Sequence, residues 1–155
     1  MTQVREEHIE RVFPSYFGSL TLPPEAKEQE IEVFRACRTR KLERESFLCT
    51  YEENGFKITA GKREDDPQEY CMSTYAKLRD VRRFVIVDSK YQPPWGLAKG
   101  HTRGENGVSC MTKAWKEKHR SSHVDYWLYD GAEPWTAFEL VDYDAEYEKT
   151  ISKRE

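Results

Sequence analysis

The sequence of 155 residues predicts a single α+β domain with a mixed or antiparallel sheet and short helices. Segments with strand-like alternation are separated by short helical patterns, without the regular strand–helix alternation of a parallel α/β fold. Only 37% of the residues are hydrophobic, but nine Tyr, seven Phe and four Trp supply the bulk that a buried core needs. A chain of this length is able to bury such a core.

The first 30 residues are predicted to form a helical lead-in. Apolar side chains recur at helical spacing over residues 2–13, and Pro14 ends the pattern. A second helix is predicted over residues 23–30, because Pro23-Pro24 suits the first positions of a helix.

Residues 31–141 are predicted to form the core. Residues 31–37 alternate apolar and polar side chains, as a half-buried strand does. Further strands are predicted at residues 70–75, 85–87, 124–129 and 136–141, with helices within residues 41–50 and over residues 76–84. Asn106-Gly107 favours a hairpin turn before the last strands. Residues 142–155 are predicted to be a charged tail, partly helical and frayed at its end.

Charge and cysteine content restrict the expected cellular compartment and the expected classes of binding partner. The net charge of −3 gives no overall attraction to nucleic acid or to anionic membranes. No apolar run reaches membrane-spanning length. The four cysteines are widely spaced without a CxxC pattern, so buried free thiols in a reducing, cytoplasmic protein are expected.

Asp125 is the strongest candidate for a functional carboxylate. It lies in an aromatic run, His123-Val124-Asp125-Tyr126-Trp127-Leu128-Tyr129-Asp130, that predicts a buried strand. An acid beside large rings is costly unless it is paired or has a catalytic role. A structural alternative is that Asp125 accepts a hydrogen bond from Trp95 or Trp127, or pairs with His123.

Two earlier segments carry polar side chains at strand ends. Arg35 lies on the first predicted strand, and Ser73-Thr74-Tyr75 ends the second. The alternatives are structural: Arg35 pairs with an acid such as Glu32, Ser73 or Thr74 caps the next helix, and Tyr75 belongs to the core.

The succession of Arg35, Ser73-Thr74-Tyr75 and Asp125 resembles the ADP-ribosyltransferase fold. In that fold a His or Arg, then a Ser-Thr-Ser or Tyr, then a Glu meet around NAD. The run from Asp125 to Asp130 is also similar to the Glu-Tyr-x-x-Tyr-Asp strand of poly-ADP-ribose polymerases, and residues 96–100 are loosely similar to their Gly-Leu-Gly-Lys segment. Asp125 stands where the family has Glu, and Tyr75 stands where Ser-Thr-Ser has its last Ser.

The resemblance implies an enzyme that uses NAD to modify a macromolecular target. The implied catalytic residues are Arg35, His123 and Asp125. The implied cofactor-binding residues are Ser73, Thr74, Tyr75 and Lys99. Because the motif departs from the family, a chain that keeps the fold without the activity remains an open alternative.

Other functions are also open from the sequence. One is a non-catalytic protein-binding module, an inhibitor or adaptor carried by a mobile element, with Trp95, Trp115 and Trp135 as anchors. The basic run from Lys113 to Arg120 suits a nucleic-acid backbone or, alternatively, a solvated helix face. His119 and His123 have a helical ligand spacing, but nothing nearby in the sequence completes a metal site, and none is predicted.

Overall fold

The computed structural model describes residues 11–86 and 89–154, which form one antiparallel six-stranded sheet and three α-helices. The strands are β1 (Glu32–Cys37), β2 (Met72–Tyr75), β3 (Gly96–His101), β4 (Gly107–Met111), β5 (His123–Leu128) and β6 (Phe138–Val141). The helices are α1 (Thr50–Glu53), α2 (Arg82–Val85) and α3 (Tyr143–Arg154). The strand order is β4-β5-β2-β1-β3-β6. The predicted α+β class is therefore confirmed.

Apolar side chains cover both faces of the sheet. One cluster, centred on Val33, Met72, Val124 and Tyr126, combines alternate residues of β1, β2 and β5. On the other face, one cluster contains Phe34, Leu78, Val81 and Leu97, and another contains Phe17, Tyr70, Cys71, Cys110 and Trp127. Of the helices in the described part of the chain, none is both long and apolar enough to span a bilayer.

The pairing of β2 with β5 determines which polar side chains meet. Ser73 lies directly opposite Asp125, and Tyr75 lies directly opposite His123. Residues opposite each other in an antiparallel pair project from the same face of the sheet. The register therefore brings all four side chains to one face, although about fifty residues separate the two strands in sequence.

The strands β1 and β2 are joined much less completely. Their one residue pair in register is Phe34 with Tyr75, whereas β1 pairs with β3 along its whole length. The sheet consequently has a seam at its centre, between β4-β5-β2 on one side and β1-β3-β6 on the other. Arg35 projects at this seam.

The helix predicted over residues 23–30 is wrong. In the structure this segment runs along the sheet edge, where Lys27 forms an isolated bridge with Ser109. The Lys27 N–H donates to Ser109 O at 3.2 Å, and the Ser109 N–H donates to Lys27 O at 2.9 Å. The unpaired edge of β4 thus satisfies the backbone of this segment better than a short helix does.

The helix predicted over residues 76–84 is also interrupted. It consists of a 3₁₀ turn, Leu78–Asp80, followed by α2. The hydroxyl of Ser122 accepts the Lys77 N–H at 2.9 Å, and Asp80 Oδ2 accepts both the N–H and the hydroxyl of Ser122. These contacts tie the start of the segment to β5 and prevent a regular helical entry.

Other boundaries differ by smaller amounts. The strand predicted at residues 85–87 is wrong at its start, because Val85 ends α2, and Val87 lies outside the described residues. The helix predicted within residues 41–50 is a 3₁₀ turn, Arg44–Ser46. The helix predicted over residues 2–13 lies mostly outside the described residues, and the predicted C-terminal helix is confirmed as α3.

Replacing Gly100 by Ala is expected to destabilise the sheet by about 1–3 kcal/mol, the usual cost of overpacking. A Cβ atom at this position would lie 2.6 Å from Phe138 Cγ and would also collide with the backbone oxygen of Ala137. Urea denaturation measures the effect. Glu139→Ala, at an exposed site on the neighbouring strand, is the control and is expected to change stability by less than about 0.5 kcal/mol. Equal stability of the two variants would contradict the packing described here.

Candidate active site

The carboxylate of Asp125 is completely buried, with 0% of the residue exposed. Its Oδ1 atom accepts a hydrogen bond from Gln68 Nε2 at 3.0 Å and one from Cys71 Sγ at 3.3 Å. His123 Nδ1 lies 3.2 Å from the same oxygen. These donors come from the turn before β2, from the residue next to β2, and from β5 itself.

The second oxygen, Oδ2, is held by the segment that follows β4. Thr112 Oγ1 donates to it at 3.0 Å, and Trp115 Nε1 donates at 2.8 Å. Both residues lie in or next to a 3₁₀ turn, Thr112–Ala114, that begins where β4 ends. The carboxylate is therefore surrounded by donors from both sides.

Gln68 has its orientation fixed by Lys116. Lys116 Nζ donates to Gln68 Oε1 at 2.6 Å. An ammonium group is only able to donate, so the amide oxygen of Gln68 must face Lys116. The amide NH₂ group is then directed to Asp125, as the network requires.

These hydrogen bonds keep Asp125 ionised. Burial alone raises the pKa of this carboxyl, but hydrogen bonds and charge interactions with His123, Gln68 and Trp115 outweigh burial and lower the pKa below its usual value. For Cys71, burial and the negative charge of Asp125 act in the same direction. Both raise the pKa of the thiol, which lies well above its usual value. Cys71 is therefore a protonated donor.

The arrangement of donors also determines the tautomer of His123. Its Nδ1 lies 2.6 Å from Thr112 Oγ1, and its Nε2 lies 2.9 Å from Ser73 Oγ. The single hydroxyl proton of Thr112 is directed to Asp125, so Thr112 Oγ1 accepts from His123. His123 Nδ1 therefore carries the proton in the neutral ring. Nε2 is left as an acceptor for the hydroxyl of Ser73.

Arg35 fills the seam between β1 and β2 and is only 6% exposed. Its Nη1 donates to the backbone oxygen of Ser73 at 2.8 Å, and its Nε donates to Ser46 O at 3.0 Å. Nη2 donates to Leu48 O at 3.4 Å and forms an ion pair with Glu53 Oε2 at 3.0 Å. Arg35 thus pairs with Glu53 rather than with Glu32, and it holds the backbone of Ser73 in place.

An open pocket of about 210 Å³ lies beside Ser73 and His123. Ser73 is half-buried, so its hydroxyl stands between the buried network and this pocket. Asp125 and Arg35 do not line it. The other lining residues are Thr50, Lys62, Asp66, Gln68, Glu69 and Cys71.

The remaining candidate residues occupy different places. Tyr75 contacts His123 edge to face, with ring centroids 5.2 Å apart, so it borders the network. Thr74 is buried and donates to Val124 O at 3.0 Å. Lys99 is on β3 and forms an ion pair with Glu146 of α3 at 3.1 Å, apart from the pocket beside Ser73.

Sequence reasoning missed most partners of Asp125. It proposed His123, which the structure confirms as a partner, but it proposed Trp95 or Trp127 as the indole donor. Trp127 Nε1 donates instead to Pro67 O at 2.8 Å, and Trp115 serves Asp125. The hairpin turn predicted at Asn106-Gly107 is wrong, because β3 and β4, which flank it, are not neighbours in the sheet. β4 pairs with β5 instead, and this pairing brings the segment after Met111 towards Asp125.

Cys71, His123 and Asp125 bring ligand-type atoms within 4.8 Å of one another. In this structure Cys71 keeps its proton and donates it to Asp125. The protonated Nδ1 of His123 is likewise a donor. We therefore interpret the group as a hydrogen-bonded network.

The aromatic and basic candidates are largely engaged within the fold. Trp95 stacks on Phe84 with centroids 5.2 Å apart, and Trp135 packs beside Phe47. The run from Lys113 to Arg120 forms a 3₁₀ turn and loop, so the predicted helix face is not formed. Its Trp115 and Lys116 contact Asp125 and Gln68.

Comparisons of the chain with protein-family models, with curated proteins and with solved structures find no match.

Replacing Asp125 by Asn is expected to lower the free energy of unfolding by about 2–4 kcal/mol near neutral pH, because an amide NH₂ group would then face donors. The pKa of Asp125 is lowered in the folded state, so its stabilisation is present above the unfolded value near about 3.9 and is lost as pH falls through the folded value. The difference between wild type and variant should therefore shrink below about pH 4. Denaturation at several pH values tests this, with exposed Asp144→Asn as control. A difference that does not depend on pH would contradict an ionised Asp125.

Replacing Arg35 by Lys is expected to cost about 2–3 kcal/mol, because a single ammonium group cannot bridge three carbonyl oxygens and Glu53 at once. Arg38 is a matched control: it also lies near Glu53, at 3.6 Å, but its side chain is 48% exposed. Arg38→Lys should change stability by less than about 1 kcal/mol. Equal losses in urea denaturation would show that Arg35 does not hold the seam.

Proposed function

We propose that this protein is an ADP-ribosyltransferase-like enzyme that binds NAD at the pocket beside Ser73 and His123 and modifies a macromolecular target. One observation carries the proposal. Arg35, Ser73 and Asp125 are far apart in sequence but lie on the three adjacent strands β1, β2 and β5. Ser73 touches both sides: its backbone oxygen accepts from Arg35, and its Cα is paired with that of Asp125.

The properties of the pocket favour one part of the dinucleotide. Its volume of about 210 Å³ is below the roughly 300–1,000 Å³ of pockets that enclose drug-sized ligands. Asp66 and Glu69 are among its lining residues and disfavour phosphate, whereas carboxylates, amides and hydroxyls suit ribose hydroxyl groups. The pocket therefore fits the nicotinamide riboside portion better than the diphosphate.

NAD, when bound, supplies a glycosidic bond whose cleavage develops positive charge on the ribose. His123 and Ser73 are the network residues that reach the pocket. Asp125 stands behind them as a buried negative charge that stabilises positive charge nearby. Arg35 is engaged by protein acceptors, so its role is to hold Ser73 rather than to grip a phosphate.

The setting of the proposed activity follows from the cysteines. Cys37, Cys49, Cys71 and Cys110 are all buried free thiols. Free thiols are typical of reducing compartments, which supports a cytoplasmic protein.

Transfer of label from etheno-NAD or radiolabelled NAD tests the proposal. We expect His123→Ala to lower transfer by about 10²-fold or more, the usual effect of losing an acid–base group. His101→Ala removes an exposed histidine at the end of β3 and should leave transfer unchanged. Both variants are compared at equal folded fraction, measured by thermal melting.

Binding is tested separately by thermal melting with NAD. At 100 times its dissociation constant, a ligand that binds only the folded state adds about 2.7 kcal/mol of stability. The proposal is rejected if millimolar NAD leaves the melting temperature unchanged and no label is transferred, or if His123→Ala transfers as well as wild type.

A second candidate, a protein-binding module, is favoured by a different surface. Phe56 is 56% exposed and borders a larger pocket of about 430 Å³ with Tyr16, Phe47 and Trp135. Aromatic side chains of this kind often anchor protein interfaces. Phe56→Ser should abolish capture of a stable partner if this candidate is correct, and it should leave transfer from NAD intact if the enzyme proposal is correct.

A further inference from the structure

We infer that Ser73, His123 and Asp125 form a nucleophile–base–acid relay that gives Ser73 acyl-transfer reactivity towards small polar carboxylic esters. This inference concerns a different reaction from ADP-ribose transfer and does not depend on NAD. It rests on the order of the contacts, on the tautomer of His123 and on the pocket into which Ser73 opens.

The geometry is that of a connected relay. Ser73 Oγ lies 2.9 Å from His123 Nε2, and His123 Nδ1 lies 3.2 Å from Asp125 Oδ1. The first distance falls within the roughly 2.6–3.2 Å expected of a nucleophile and its base, and the second places the negative charge of Asp125 directly beside the ring of the base. Thr112 reinforces the second contact, because it bridges His123 Nδ1 and Asp125 Oδ2.

The protonation of Asp125 and His123 is the one that a base acting on Ser73 requires. Asp125 is ionised and accepts a hydrogen bond from Thr112, and Thr112 Oγ1 in turn accepts from His123 Nδ1, so Asp125 sets the tautomer of His123 through Thr112. His123 Nε2 is then free to accept the proton of Ser73. A reversed tautomer would leave Thr112 with one proton for two acceptors, His123 Nδ1 and Asp125 Oδ2.

The relay is held rigidly on the sheet. Ser73 and Asp125 are a direct residue pair of β2 and β5, and the backbone oxygen of Ser73 is fixed by Arg35. Gln68 and Trp115 restrain the carboxylate from two sides. A catalytic constellation needs such support, because small displacements of a nucleophile reduce its efficiency.

The reaction is balanced within the relay and the substrate. Ser73 Oγ attacks the ester carbonyl carbon while His123 Nε2 takes the hydroxyl proton, and the carbonyl π electrons move to the oxygen. Collapse of this intermediate breaks the ester C–O bond, and the leaving alkoxide takes the proton from His123. Water then hydrolyses the acyl-serine by the same steps, releasing the acid. Lys62 and Thr50 line the pocket and carry the types of donor that suit an oxyanion.

The pocket restricts the substrate to small and polar esters. Its volume is about 210 Å³, and its lining includes Lys62, Asp66, Gln68 and Glu69. Long apolar acyl chains would leave these polar groups unpaired, which costs binding energy.

The chain contains a matched control pair. Ser121 Oγ lies 2.9 Å from His119 Nε2, the same distance as in the Ser73–His123 pair. Within residues 11–86 and 89–154, no carboxylate forms an ion pair with His119. Ser121 therefore has the base without the orienting acid and should be much less reactive.

The experiment uses a fluorophosphonate probe on the intact protein, with the labelled residue identified by peptide mass mapping. Labelling forms an Oγ–P bond and releases fluoride. We expect label on Ser73, none on Ser73→Ala, and a rate lower by about 10²–10⁴-fold in His123→Gln. Ser121→Ala should label like wild type. Hydrolysis of p-nitrophenyl acetate should show the same order of rates.

Asp125 acts here as a positioning residue, and its role has a separate readout. Gln68→Leu removes one of several donors from Asp125 and should slow labelling less than Asp125→Asn does. Asp125→Asn should lose labelling beyond its loss of folded fraction, because it no longer sets the tautomer of His123. Wild-type protein that does not label, label on Ser121 instead of Ser73, or equal rates in folded wild type and His123→Gln would each overturn the inference. NAD is absent from these assays, so their outcome is independent of the transfer test.

Discussion

The charge of Asp125 is the constraint around which the centre of the sheet is organised. A buried carboxylate without compensation is among the most expensive groups that a fold can contain. Among the described residues, Asp125 has no Lys or Arg in ion-pair contact, and its charge is balanced by donors from four segments of chain. The turn before β2, the residue that precedes β2, the turn after β4 and β5 itself must therefore all be in place together. The location of the pocket and the exposure of Ser73 both follow from this arrangement.

Arg35 is a second buried charge, and it is satisfied mainly by backbone acceptors, whereas Asp125 is satisfied by side-chain donors. Its guanidinium group is satisfied mainly by backbone oxygens, because its planar donors suit several acceptors at once. Those acceptors belong to β2 and to the segment that connects β1 to α1. Ser73 connects the two charged groups: its backbone oxygen accepts from Arg35, and its hydroxyl contacts His123, which lies beside Asp125. A residue with so little freedom is a suitable position for chemistry that depends on fixed distances.

The sequence predicted an element correctly where neighbouring residues alone decide its conformation. Alternation predicted β1 and the aromatic run predicted β5, because these signals are contained in a few consecutive residues. The hairpin turn expected at Asn106-Gly107 does not form, because β3 and β4 are not neighbours in the sheet. The segment at residues 23–30 was predicted wrongly, because its conformation is decided by pairing with Ser109, about eighty residues away. Proline position alone carries no information about such a partner.

The same distinction applies to the candidate site. The aromatic run marked Asp125, and the likeness of three short segments marked Arg35 and Ser73, but neither showed which side chains face one another. The donors Gln68, Thr112 and Trp115 lie in turns, where composition does not indicate a role. Their function follows only from the register of β4, β5 and β2. Lys99 illustrates the reverse case, because the resemblance implied a cofactor-binding role for it, while its actual partner, Glu146, lies in the C-terminal helix.

The central seam has a consequence for the motions of the sheet. Strands joined along their length open together, whereas β1 and β2 share a single residue pair in register. Proteins open in cooperative units whose boundaries follow weak internal contacts. The halves β4-β5-β2 and β1-β3-β6 should therefore exchange amide hydrogens as two separate blocks. The guanidinium group of Arg35 on β1 joins them through its hydrogen bond to the backbone oxygen of Ser73 on β2. A molecule that inserted between β1 and β2 would break the contacts that hold the two halves together. The centre of the sheet, rather than its edges, is therefore the place where a change of conformation costs the fewest strand hydrogen bonds.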